Sequence, residues 1–302
     1  MSATIQRYPS RESRIGEDTL IRRALPHRDR RLVGAWCFLD HAGPTVFASG
    51  KGLHVGAHPH IGLQTFTWMI EGEVMHRDSL GYEQVIRPGQ VNLMTAGRGI
   101  AHSEDSVRDG DALHAAQLWI ALPQAHANCE PAFAHHANLP RWSQGGFDAT
   151  LLVGTLGGQT APAQVFSPLL GLDLTSTGAA HTSIELDTRF EHAAIVLRGA
   201  ATLAGEALAP GDWLYFATGR TRLDVSCDSE AQILLLGGEP LGEDILLWWN
   251  FVGRTQADIE AALADWQADD STRSARFGPL PTGSRAAPLL APRLEGALKA
   301  GR

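Results

Sequence analysis

The sequence predicts an all-β chain, a sandwich or barrel with one short C-terminal helix, and three observations carry that prediction. Strand-length apolar runs recur between turn signals, as in "QTFTWMIEGEV", "QVNLMTAG", "HAAQLWIALP", "HAAIVLRGAATLAG", "DWLYFATG" and "AQILLLGG". With 32 glycines and 16 prolines as punctuation, this close spacing is the signature of a β-sandwich or barrel. Helical periodicity is clear in one place only. A β unit is written twice.

The helix is read from "TQADIEAALADWQ", where Ile259, Ala262, Leu263 and Trp266 recur at i, i+3, i+4 and i+7. Thr255 serves as its N-cap and Asp258 places an acid in the first turn. The repeat pairs Met69–Gly97 with Val196–Gly219. Each runs strand, glycine, strand, glycine turn, strand, Pro-Gly, strand, with Pro88-Gly89 matching Pro210-Gly211. The irregular, proline-bearing stretch Leu122–Trp142 divides the copies. The expected domains are therefore 1–130, with the metal-binding candidates below, and 131–302, with the helix and a tail. After Asp270 the tail is rich in Pro, Gly and Arg, and is expected to be extended and ordered by packing on the body.

A chain of 302 residues, 44% hydrophobic and 19% charged, is globular and long enough for a substantial core. A net charge of -8 argues against direct nucleic-acid binding. One basic run, "LIRRALPHRDRRL", holds five arginines, and a solvated or internally paired cluster is the simpler reading of it. Cys37, Cys129 and Cys227 are dispersed and odd in number, so neither a disulfide framework nor a zinc knuckle is expected. With no signal-like N-terminus and no run of membrane-spanning length, the expectation is a cytoplasmic protein without a membrane partner.

The candidate chemistry sits in "GLHVGAHPHIGLQTF". Residues i and i+2 of a strand share a face, so His58 and His60 aim two imidazoles together. The stretch "TAGRGIAHSEDS" supplies a second pair, His102 and Glu104, 42–44 residues on. If the two strands are neighbours, three imidazoles and one carboxylate converge, a set that suits Fe, Ni, Cu or Zn and leaves open positions. The competing reading is a group of surface or internally hydrogen-bonded histidines. His54 shares the parity and is read as rim. His76 and His114 are read as structural, and Arg98 as a loop-orienting residue or an anion attractor.

The stretch Gly52–Ser106 resembles the first domain of the pirin family of the cupin superfamily. The matching pieces are "HPHIGLQT", "EGEVMHRDSLG" and "IRPGQVNLMTAGRGIAHSE", with "RRALPHRDRRLVGAWCFLDHAGP" upstream. Further on, "LLLGGEPLGEDILLWWNFVGRTQADIEAALADW" resembles the pirin C-terminal segment. The resemblance implies a bicupin, two β-barrels face to face with metal in the first. It implies an Fe(II) cofactor, with Ni, Cu, Zn or Mn as other occupants, held by His58, His60, His102 and Glu104. It also implies a quercetin 2,3-dioxygenase activity in some members, acting on a flavonol-like substrate and O2, and a regulatory, partner-binding role in others.

One position departs from the pattern. Pirins commonly carry glutamate where this sequence has Gln64, and glutamine cannot serve as a carboxylate base. Glu104 would then act as the base, or the substrate must arrive ionised. On an unbroken strand Gln64, Phe66 and Trp68 would continue the parity of His58 and line a substrate pocket; plain core is the alternative. In the second copy the corresponding slots hold Glu185, Asp187, Asp224 and Ser226, so no metal is expected there. Three functions remain open: a dioxygenase, an iron-dependent protein-binding module with Arg22–Arg31 as its first candidate surface, and a structural bicupin filled by zinc. A monomer is expected.

Overall fold

Antiparallel strands account for nearly all regular structure in the computed structural model, which describes residues 5–15 and 19–301. The chain divides by contact into two units, each assembled from separated stretches of sequence.

The unit formed by 5–12, 22–41 and 136–241 is built on a nine-stranded sheet. Its centre is the long pair Leu169–Glu185 and Arg222–Gly238, antiparallel along most of their length. Alternation along these strands sends Leu170, Leu172, Leu174, Ile233 and Leu235 into one apolar cluster with Phe147, Val196 and Phe216. The basic run is internally engaged: Arg23 pairs with Asp40 at 2.6 Å, Arg28 with Asp29, and the Arg30 guanidinium lies 3.7 Å from the Tyr215 ring centre. His192 is fully buried, and neither ring nitrogen has a hydrogen-bond partner among the described residues. Desolvation lowers its pKa to about 4, with Asp187 opposing and Arg220 reinforcing the shift. The unfolded chain takes up this proton near the ordinary pKa of about 6.5, so the stabilisation is present above that pH and is lost as pH falls through 4. A loss on the order of 3 kcal/mol across that window follows. Thermal midpoints of the protein and of His192→Leu, followed from pH 7 to pH 4, are expected to diverge, with the flatter profile in the variant.

The second unit contains 42–135 and 242–301. A four-stranded sheet runs in the order His54–His60, Ile100–Ser106, Val74–Asp78, Glu83–Ile86. In a seven-stranded sheet, Leu63–Glu71 lies between Val91–Thr95 and Ala112–Ala121. Met69 and Ala115 of that sheet cluster with Val74 and Ile86 of the four-stranded one, so these two sheets share a core. The written repeat is visible in both units. Leu63–Glu71 pairs with Val91–Thr95 beyond Pro88-Gly89, and Glu191–Gly199 pairs with Asp212–Phe216 beyond Pro210-Gly211.

The helix α1, Gln256–Gln267, starts where the sequence places it. Thr255 accepts from the Asp258 amide while the Asp258 side chain accepts from the Thr255 amide, a closed capping box. Ile259, Ala262 and Trp266 are buried on one face, clustered with Ile61, Ala101 and Phe251, and Trp248 and Trp249 pack alongside. Thr255→Ala is expected to cost about 1 kcal/mol, read as a lowered thermal midpoint.

The tail departs from the fully extended expectation at its start. Asp269 caps a second helix, α2, Asp270–Phe277, by accepting from the Thr272 amide, and Phe277 is buried against Trp266 and Phe251. The charge pattern "DSTRSAR" hid this helix, because only one apolar residue, Phe277, marks its inner face. From Gly278 the chain has no helix or strand up to residue 300, and is ordered by packing, with Leu280, Leu294 and Leu298 against the same cluster. No helix among the described residues is long and apolar enough to cross a membrane.

Candidate metal centre

The strands His54–His60 and Ile100–Ser106 are antiparallel neighbours, with His102 directly opposite His58. Opposed residues of an antiparallel pair project from the same face, so both histidine-bearing segments present their imidazoles together. The ligand nitrogens of His58, His60 and His102 lie within 4.8 Å of one another, all buried. Between His102 and Glu104 the register shifts, because the facing stretch Val55–His58 carries one extra residue; Glu104 stands across from Val55 on that side and pairs in unbroken register with His76 on the other. Glu104 therefore groups with His102 and His76, again within 4.8 Å, rather than with all three imidazoles at once.

Hydrogen bonds fix which nitrogen of each ring is bare. His58 Nδ1 lies 2.9 Å from the Gly56 carbonyl oxygen and His60 Nδ1 lies 3.0 Å from that of Asn250. A carbonyl only accepts, so Nδ1 is the protonated atom in both rings and Nε2 offers its lone pair. His76 Nε2 donates to Asp78 Oδ2 at 3.0 Å, which leaves the neutral ring's Nδ1 as an acceptor 3.4 Å from His102 Nδ1. His102 then donates from Nδ1 and is bare at Nε2, which stands 3.1 Å from the bare Nε2 of His60. Two lone pairs at that distance repel unless a cation lies between them. Two nitrogens bound to one ion at about 2.1 Å and at a right angle would stand about 3 Å apart, which matches.

Burial also keeps the donors neutral. Desolvation lowers the His58 pKa to about 4, and holds His60 and His102 well below the ordinary imidazole value, with His58 adding to the shift of each. Burial raises the Glu104 carboxyl above its usual range, against the opposing influence of His76. A pocket of neutral nitrogens beside a carboxylate fits a divalent ion of the Fe, Ni, Cu or Zn type.

The strand carrying the histidines ends at His60. Gly62, at φ +68, turns the chain, and a Cβ there would meet the Val252 carbonyl oxygen at 2.1 Å. The parity running from His58 is therefore not continued into Leu63–Glu71. Gln64, Phe66 and Trp68 pair with Ile120, Leu118 and Ala116 and share a face with them. The alternate positions face the histidines: Trp119, opposite Thr65, has its ring 5.1 Å from that of His60. Thr67 bonds to Gln117 at 2.8 Å on this same face. Gln64 is buried and donates to Thr95 Oγ1 at 2.9 Å on the other. His54 lies at the rim, bonded to Asp105 at 3.0 Å, and Arg98 pairs with Glu130 at the surface.

Asp78, Trp119 and Asn250 escaped the sequence reading, whereas His76, read there as a structural histidine, is hydrogen-bonded to Asp78. His76 and Asp78 repeat the i, i+2 spacing of the two chosen pairs, so their signal was present in "MHRD". Trp119 and Asn250 carry no local signal, since only the fold brings them to His60.

The Pirin family matches residues 18–120, and the Pirin C-terminal cupin domain matches residues 171–271. A Pseudomonas aeruginosa protein named "Putative quercetin 2,3-dioxygenase" is 52% identical over 276 residues, 91% of this chain and 86% of that protein. The chain belongs to the pirin family. This pirin is also 39% identical over 254 residues to a pirin-like protein of Caulobacter vibrioides, covering 82% of this chain and 87% of the relative. A crystal structure of a quercetin 2,3-dioxygenase from Acinetobacter baumannii superposes with a TM-score of 0.94 at 47% identity, covering 99% of this pirin and 98% of that chain.

Proposed function

We propose that this pirin is a cytoplasmic, iron-dependent dioxygenase that opens the ring of a flavonol-like substrate with O2. The observation that carries this reading is the convergence of three neutral imidazoles whose outward nitrogens are tied to backbone carbonyls and to the His76–Asp78 pair. The names of two relatives at 52% and 47% identity supply the substrate class. His58, His60, His102 and Glu104 are assigned as the residues that would hold the ion. A divalent ion bound there supplies Lewis acidity and a template for substrate and O2.

The protein's own groups do the rest. Glu104 supplies the carboxylate oxygen that takes the flavonol 3-hydroxyl proton. Gln64 does not stand in for it, because it is an amide and lies on the opposite face of its sheet. Trp119, with its ring against His60, forms an apolar wall that excludes water, and Thr65 and Thr67 extend the same face. None of the three cysteines is in a disulfide, which suits a reducing compartment.

The test is product analysis. Iron-loaded protein given quercetin under air is expected to release carbon monoxide and a depside in equal amounts, and to leave quercetin unchanged without oxygen. Quercetin consumed without carbon monoxide would contradict the reaction assigned.

A further inference from the structure

We propose that Asp78 and His76 form a positioning relay that orients His102 for metal binding. This inference rests on the metal site proposed above and adds two residues to it. Asp78 is buried, and its carboxylate is itself anchored: Oδ1 accepts from the amides of Leu80 at 2.9 Å and Tyr82 at 3.1 Å. Its other oxygen accepts from His76 Nε2 at 3.0 Å. The His76 ring is held flat against Phe133, with centroids 4.4 Å apart and planes within 14°. Tyr82 in turn packs on Phe133 at 5.0 Å.

So held, His76 presents Nδ1 to His102 Nδ1 at 3.4 Å. His76 is not a fourth imidazole of the three-histidine group, because it meets the nitrogen of His102 that points away from His60. His58 and His60 have their outer nitrogens tied to rigid backbone carbonyls. His102 has no such carbonyl, and an imidazole backed by a buried carboxylate takes its place. The arrangement fixes the ring orientation and keeps the lone pair on Nε2. Loss of a partner of this kind typically lowers metal affinity about 10–100-fold.

Two substitutions at one position separate orientation from packing. His76→Phe keeps a flat ring on Phe133 but removes the acceptor. His76→Asn loses the ring but places an amide oxygen where Nδ1 stood. Metal dissociation constants are measured by competition with a chelator, using Co(II) and its visible absorption as the readout of ligand geometry. His76→Phe is expected to bind Co(II) about 10–100-fold more weakly with an altered spectrum, and His76→Asn to recover most of the affinity. Metal-free thermal midpoints establish that both variants fold; Asp78→Asn provides a second break in the relay and is expected to weaken binding in the same direction. Wild-type affinity and spectrum in folded His76→Phe would overturn the relay while leaving the metal site in place. Absence of Co(II) binding by the wild type would overturn both.

Discussion

His102→Ala is expected to lose nearly all bound metal while retaining the β fold. His102 belongs to both candidate donor groups, being close to His58 and His60 on one side and to His76 and Glu104 on the other. Its removal leaves His60 Nε2 without the nitrogen 3.1 Å away and interrupts the link to His76. No other residue takes its place, since Ala101 and Ser103 project to the opposite side of the strand. The apolar core of this unit is built from Met69, Val74, Ile86, Leu113 and their neighbours. Metal content by elemental analysis should therefore fall to near background, with the far-ultraviolet spectrum preserved. Full occupancy in the variant would refute His102 as a ligand.

The second large effect is expected at Gly56. This residue sits two positions before His58, and a Cβ built on it would meet the Ala287 carbonyl oxygen at 1.7 Å. The obstruction is backbone, so one of two chain segments must move. The tail is the less constrained of the two, because it lacks helix and strand, whereas His54–His60 is held by ladder pairing on both sides of Gly56. The tail is seated by Leu289 N donating to the Ala57 carbonyl at 2.9 Å, by Trp266 Nε1 donating to the Leu289 carbonyl at 3.1 Å, and by Arg285 on Asp109. Gly56→Ala is expected to displace residues 284–289, to cost about 1–3 kcal/mol of stability, and to open the tail to protease. Limited proteolysis that cuts the variant between 278 and 300, while sparing the parent, is the outcome to look for. Equal resistance in both would mean that the strand, not the tail, absorbs the change.

Much of this was legible in the sequence because it rests on local rules. Alternation and Pro-Gly turns gave the strands and the repeat. Thr255, Asp258 and the spacing of Ile259, Ala262 and Trp266 gave α1. The i, i+2 rule picks out His58, His60, His102 and Glu104, of which the structure gathers the three imidazoles into one group and places Glu104 with His102 and His76. What the sequence hid depended on geometry between elements. The parity of His58 could be carried to Gln64, Phe66 and Trp68 only across an unbroken strand, and Gly62 breaks it in a conformation that the letter G permits but does not demand. The register shift opposite Ser103, which sets Glu104 across from Val55, comes from one extra residue in the His54–His60 strand, and the spacing of His102 and Glu104 does not announce it. His60 takes its backbone partner from Asn250, 190 residues away, and no local pattern announces that contact. His76 and Asp78 show the reverse case, a local pattern that was present but of which only His76 was read, as a structural histidine.

The most direct test is oxygen uptake with quercetin by anaerobically iron-loaded protein, measured beside His102→Ala. The expected result is uptake that depends on both iron and quercetin and disappears in the variant. No uptake by protein with verified bound iron would contradict the dioxygenase assignment, and uptake that persists in His102→Ala would contradict the site.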